Sequence, residues 1–278
     1  MILLLMIVVA WLYFQQGKDL TGGLILAFAG LLKIYPLFLV GYLAVRRRWK
    51  ALFVVAAGLL IGSAVAVALI GTSLSFEFVD RLLDNLSGRW LASVHALGSP
   101  SLVNLDTFIS RLFWELTSTR WNGPIDWIRR LLVMLAQAAL FALTVRATLT
   151  SGRERSKDHA AFALWMALTA LLAPTAWVHY MALLLVLFAV LAAAAIRGQA
   201  STLAMCLGGA SFFLVIVSVP HDFLVSLPSR FSLLDYSVPF FAILAKVLPQ
   251  LLLTFLANSW FFALTIMAYA SAYRLTTE

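Results

Sequence analysis

Charge is scarce in this 278-residue chain: Asp, Glu, Lys and Arg make up 12% of it, against 63% hydrophobic residues. A water-soluble core cannot use that much apolar surface, whereas a bilayer can. Cysteine is almost absent. Its single representative, Cys206, lies in an apolar run, which excludes an intrachain disulfide and a thiolate metal site. There is no internal repeat and no low-complexity linker, so the chain reads as one transmembrane domain over residues 1–278. No cofactor and no metal is implied.

What remains is a series of apolar runs. Met1–Phe14, Leu20–Val45, Ala51–Ile70, Trp127–Val145, Ala161–Ala173, Met181–Ile196, Thr202–Val219 and Val247–Tyr269 give about eight candidate segments. They predict an all-α, polytopic integral membrane protein of the cell membrane. Met1–Phe14 has neither a basic n-region nor a small-residue cleavage pattern, so it does not read as a signal peptide. At about 14 residues it is short for a bilayer that takes roughly 20, and the expectation is that the chain starts partway through a longer protein.

Lys and Arg outnumber Asp and Glu by 20 to 12. In a soluble domain that balance would point to nucleic acid. Here nine of the twenty basic residues cluster in short connections between apolar runs, about 46–50, 146–160 and 197–201, which the positive-inside rule places in the cytoplasm. The run Arg153-Glu154-Arg155-Ser156-Lys157-Asp158 is expected to be a solvated cytoplasmic loop, and His159 and His95 to be solvated. The two long loops, about 71–126 and 220–246, then face outward and hold most of the acidic residues. From Ser75, the spacing of Val79, Leu82, Leu83 and Leu86 predicts an amphipathic helix on the outer surface, and Leu105, Phe108, Ile109, Leu112 and Phe113 predict a second.

One charge breaks the pattern. Lys33 interrupts the run Leu20–Val45 and is followed by Ile34-Tyr35-Pro36. An ammonium at bilayer depth costs roughly 2.5–3.5 kcal/mol on insertion scales, so it normally faces a polar cavity or a bound anion. A snorkelling or internally paired lysine is the plainer reading, but Lys33 lies some 13 residues, about 20 Å of helix, from the cytoplasmic arginines. Pro36 leaves two geometries open: one kinked helix, or two half-helices meeting at Lys33–Pro36, of which only the second puts the N-terminus outside.

The stretch Ala29-Gly30-Leu31-Leu32-Lys33-Ile34-Tyr35-Pro36, followed by Arg46-Arg47-Arg48-Trp49-Lys50, resembles the Lys-x-Tyr-Pro span and basic loop of glycosyltransferase family 87. Ala173-Pro174-Thr175-Ala176-Trp177-Val178-His179-Tyr180 resembles that family's Ser-Pro-x-Ser-Trp-x-His motif, with alanines in place of both serines. Gly98-Ser99-Pro100-Ser101-Leu102, with Arg111 further on, is similar to its outer-loop Asn-x-Ser-Leu and Arg, with Ser99 where Asn is expected.

The resemblance implies a GT-C type hexosyltransferase, with a polyprenyl-phosphate-sugar donor, the sugar being mannose, and a glycan or glycolipid acceptor outside the cell. It implies donor contacts from Lys33 and Tyr35 to the phosphate, His179 to phosphate or sugar, Trp177 stacking on the sugar, and Arg111 as a second phosphate cation. Pro36 and Pro174 set the local backbone. Arg111 also fits a plain pairing with Asp106 or Glu115, and Trp177-His179-Tyr180 fits an interfacial belt. GT-C enzymes carry their catalytic carboxylate in the first external loop, and nothing before Lys33 resembles that loop. The expectation is a truncated or split product, or a degenerate paralogue. The base is not identified, and Asp80, Asp84, Asp106 and Asp222 are the external candidates. Asp80 and Asp84 equally suit the wet face of a surface helix. A reading from another class is a non-catalytic membrane module that binds lipid phosphate or a partner protein, or a small transporter, although no inverted repeat supports transport.

Overall fold

A computed structural model describes residues 2–86, 105–106, 108–110, 124–152, 155–173, 182–212 and 265–277. The protein is all-α, with no strand among the described residues. In chain order come α1 (Ile2–Gln15), α2 (Asp19–Leu32), a 3-10 turn (Tyr35–Phe38), α3 (Leu39–Val45), α4 (Trp49–Ile70) and α5 (Thr72–Leu86). Then follow α6 (Pro124–Thr150), α7 (Arg155–Leu172), α8 (Leu184–Ile196), α9 (Thr202–Phe212) and α10 (residues 265–277).

Among these, Trp49–Ile70 and Asp126–Thr150 are long and apolar enough to cross a membrane, while α1, α2, α8 and α9 are apolar but shorter. On α4, Leu60, Ile61 and Leu69 are exposed. So much uncovered aliphatic surface on one helix suits lipid rather than water.

The segment Leu20–Val45 is two half-helices, which settles the alternative left open by the sequence. Pro36 explains where α2 stops: its ring would collide with the carbonyl four residues earlier, and α2 ends at Leu32. The chain then reverses. Gly22 lies against Phe14 and Ala10, so α1 and α2 are antiparallel. Gly23 lies against Ala51, Ala27 against Gly58 and Leu31 against Gly62, so α2 and α4 are parallel. Small residues let these two backbones approach closely, the usual basis of helix association in lipid. A Cβ on Gly58 would sit 2.8 Å from the Cβ of Ala27. Gly58→Leu is therefore expected to destabilise the protein by about 1–3 kcal/mol through overpacking, whereas Gly209→Ala, with open space around it, should cost nothing. Thermal unfolding in detergent checks the pair; equal losses would refute close packing at Gly58.

The half-helix hairpin brings the connections together at one end of the bundle. Arg48 donates from its guanidinium to the Phe14 carbonyl at 2.7 Å and to Asp19 Oδ1 at 2.8 Å, tying the α1–α2 turn to the α3–α4 turn. Arg46 donates to Ser151 Oγ at 2.9 Å and to the Gly152 carbonyl, joining the α6–α7 turn. Lys157, Arg197 and Leu275 line a common cleft, which adds the start of α7, the end of α8 and α10. This is the basic end.

Its centre is Asp158, in the first turn of α7, where a carboxylate suits the helix dipole. Its carboxylate pairs with Arg46 Nε at 2.7 Å and accepts from Gln15 Nε2 at 2.7 Å and the Tyr42 hydroxyl at 2.9 Å. At Asp158 the expectation of a solvated loop fails. Asp158 is buried, α6 runs on to Thr150 and α7 begins at Arg155, leaving a short turn. His159 is not simply solvated either, since its ring meets Trp11 edge-on at 4.8 Å.

At the far end of α4, Gly71 turns the chain with a φ of +86°, which a side chain would strain, and α5 begins. The expected amphipathic helix is there. Its apolar residues Leu74, Phe76, Phe78 and Leu83 are exposed, as a helix lying on a bilayer surface requires.

Candidate functional site

Lys33 occupies the apex of the hairpin. Its backbone is extended, at φ −155° and ψ 137°, and its N–H closes α2 by donating to the Ala29 carbonyl. Ile34 starts the reversal and Pro36 enters the 3-10 turn at its first positions, where the missing N–H costs nothing. Tyr35 is buried beneath this apex, and the Lys33 ammonium stands 5.8 Å from its ring centroid, within reach of a cation–π contact. The ammonium itself is on the exposed side. From the α1–α2 turn, the 14 residues of α2 rise about 21 Å, so this cation is separated in height from every basic turn.

Two other elements hold the apex in place. Leu37 packs beneath Gly30, and the α3 backbone at Gly41 lies directly against the Trp165 indole of α7. Trp165 is itself fixed, donating to Thr148 Oγ1 at 3.0 Å and meeting Phe141 edge-on. Counting outward from this contact, Tyr35 lies six residues up α3 and its turn. Ala173 lies eight residues up α7. At helical rise both are about 10–12 Å from the contact, so α7 ends level with the Lys33 apex. The residues that follow, Pro174 with Trp177 and His179, lie outside the described residues, as do Ser99, Arg111 and Asp222.

The candidate carboxylates have different surroundings. Asp80 is exposed on α5, and the Asp84 side chain lies outside the described residues. Asp106 is committed to a cluster: its Oδ1 accepts from Arg129 at 2.7 Å and from Ser110 Oγ at 3.1 Å. Arg129 is 7% exposed and also pairs with Asp126 at 3.0 Å, while Arg130 pairs with the other Asp126 oxygen at 2.7 Å. Sequence reasoning missed Arg129. The one signal for it is Asp126 three residues earlier, at helical spacing, on the first turns of α6.

A model of glycosyltransferase family 87 matches residues 1–174, well over half of the chain. The chain belongs to glycosyltransferase family 87. No curated protein and no solved structure matches it. Membership makes it a member of a family of membrane glycosyltransferases. The match contains the Lys33 apex, the basic turn Arg46–Lys50 and the whole Asp158 hub, and it ends at Pro174, as α7 emerges level with Tyr35. Among the described residues, this places the Lys33 ammonium over the Tyr35 ring at a height of about 21 Å above the basic turns. A point charge on a flexible stem suits a phosphate that arrives on a mobile lipid.

Proposed function

We propose that this protein binds a polyprenyl-phosphate-hexose, the hexose being mannose, on the outer side of the cell membrane and serves its transfer to a glycan or glycolipid acceptor. The observation that carries the reading is the Lys33 apex: a costly charge, built into a helix break, far from the basic turns that mark the cytoplasmic side. In this reading the chain places about eight apolar segments in the membrane in a GT-C arrangement, one of which, Leu20–Val45, returns to the side it entered.

In the transfer an acceptor hydroxyl attacks the anomeric carbon in line and loses its proton to a carboxylate base. The bond from that carbon to the phosphate oxygen breaks, the sugar inverts, and polyprenyl phosphate departs carrying the negative charge. Lys33 stabilises that developing charge, Tyr35 donates to the same phosphate, and His179 and Trp177 complete the donor contacts from the segment after α7.

The test uses membranes containing the chain, radiolabelled polyprenyl-phosphate-mannose and, in parallel, labelled nucleotide-mannose. Specific binding of the lipid-linked donor is expected, with none of the nucleotide sugar. Equal binding of both would overturn the donor assignment. Sidedness is tested separately, with Cys206 replaced and single cysteines introduced. Those within 72–86 are expected to react with an impermeant thiol reagent from outside intact cells, and those at 151–154 to be silent. Reversed labelling would put Lys33 on the wrong side of the membrane.

A further inference from the structure

A second site lies at the basic end, away from Lys33. A cleft of about 710 Å³ runs between α1, α7 and α8. Its walls are apolar, from Leu4 and Val8 on α1 to Leu185 and Ala189 on α8, and its mouth carries Lys157, Arg197 and Gln199. From Leu185 to Arg197 is twelve residues of helix, so the groove is about 18 Å long with its charge confined to one end. That is the polarity of a phospholipid.

Among the described residues the charge is also of one sign, since no Asp or Glu of theirs lines the cleft. Asp158 adjoins it in sequence, but its carboxylate is held by Arg46, Gln15 and Tyr42. Trp11 forms part of the wall and is 9% exposed, and its buried Nε1 has no hydrogen-bond partner among the described residues. That N–H is closed off from the cleft, so Trp11 gives the wall its apolar ring and not a donor. Ala189, at the middle of the groove, is exposed.

We propose that this cleft holds one anionic glycerophospholipid, its phosphate between Lys157 and Arg197 and an acyl chain laid along α1 and α8. The basic turns fix the headgroup at the same membrane face as Arg46, where anionic lipids attract such residues by about a factor of five each. The proposal does not depend on the transfer reaction, and its failure would leave the Lys33 reading untouched.

The experiment takes the full chain, stripped of lipid in detergent, and titrates it with phosphatidylglycerol or phosphatidylcholine in mixed micelles, with bound lipid counted by native mass spectrometry. Phosphatidylglycerol is expected to bind at least tenfold tighter. The double variant Lys157→Gln with Arg197→Gln is expected to lose about 30-fold of that affinity, two charges' worth. Ala189→Trp, which narrows the groove at an exposed position and leaves both charges in place, should weaken both lipids. Equal affinity for the two lipids, parental affinity in the double variant, or parental affinity in Ala189→Trp would overturn the proposal. Displacement of the lipid by an equal concentration of inorganic phosphate would overturn it too, because the site would then serve a free anion.

Discussion

Lys33→Ala is expected to lower donor turnover by about 10²–10³-fold in any active form of the protein, the loss seen when one preorganised group facing a developing oxyanion is removed. The loss should fall on kcat/KM, since the phosphate is charged in the ground state and more so as it departs. Folding should not suffer. The side chain is on the exposed side of the apex, its backbone bond to Ala29 survives the substitution, and the bundle sheds a charge that costs roughly 2.5–3.5 kcal/mol in lipid. Lys33→Arg keeps the charge but presents a planar fork in place of a compact ammonium, and is expected to recover only part of the activity. The measurement is transfer from polyprenyl-phosphate-mannose by parent and variants at matched protein levels, alongside thermal unfolding. Parental turnover in Lys33→Ala would remove the phosphate role, and a matching fall in thermal stability would recast Lys33 as structural.

That the helix is disturbed at Lys33–Pro36 was legible because the cause is local, although the sequence left a kink and a break into two half-helices equally open. A proline stops the helix four residues before itself, and an ammonium stands out in an apolar run whatever surrounds it. The amphipathic helix α5 was legible for the same reason, its 3.6-residue pattern being complete within one segment. Asp158 and Arg129 were not. Asp158 sits in a run of mixed charges that looks solvated, and its partners Gln15, Tyr42 and Arg46 are more than a hundred residues away. Only the hairpin at Lys33, which returns α3 to the end where α1 finished, brings them together. Arg129 is similar, because its partner Asp106 belongs to a different segment. The parallel contact of α2 with α4 was also beyond sequence reasoning, although its glycines and alanines at helical spacing are visible in retrospect. The order of dependence is plain: Pro36 creates the hairpin, the hairpin creates the Asp158 hub, and the hub holds α3 so that Lys33 stays at its height.

That dependence makes Asp158 the second large effect. Asp158→Ala is expected to cost about 3–5 kcal/mol, because it leaves the Arg46 guanidinium without a counter-charge and removes the acceptor for Tyr42 and Gln15. Both ionic side chains are only 13% exposed, so water restores little of the loss. Asp158→Asn keeps one acceptor while losing the charge, and should cost less, about 1–3 kcal/mol. The informative control is the joint change Arg46→Met with Asp158→Leu. Replacing a buried ion pair by apolar residues of similar size is often neutral, so the joint variant should be more stable than Asp158→Ala despite carrying an extra substitution. Unfolding followed by tryptophan fluorescence reads all four proteins, since Trp11 and Trp165 both lie in the packed core around α7. A loss below about 1 kcal/mol in Asp158→Ala would mean that water screens the pair as it does on a protein surface. Donor turnover supplies the link to the site: Asp158→Ala should lose activity even where the protein is still folded, because α3 then loses the Tyr42 and Arg46 ties to α7 and keeps only its packing on Trp165 and the Arg46 and Arg48 bonds to the neighbouring turns. Full activity in the folded fraction would show that the Lys33 apex holds its position without the hub.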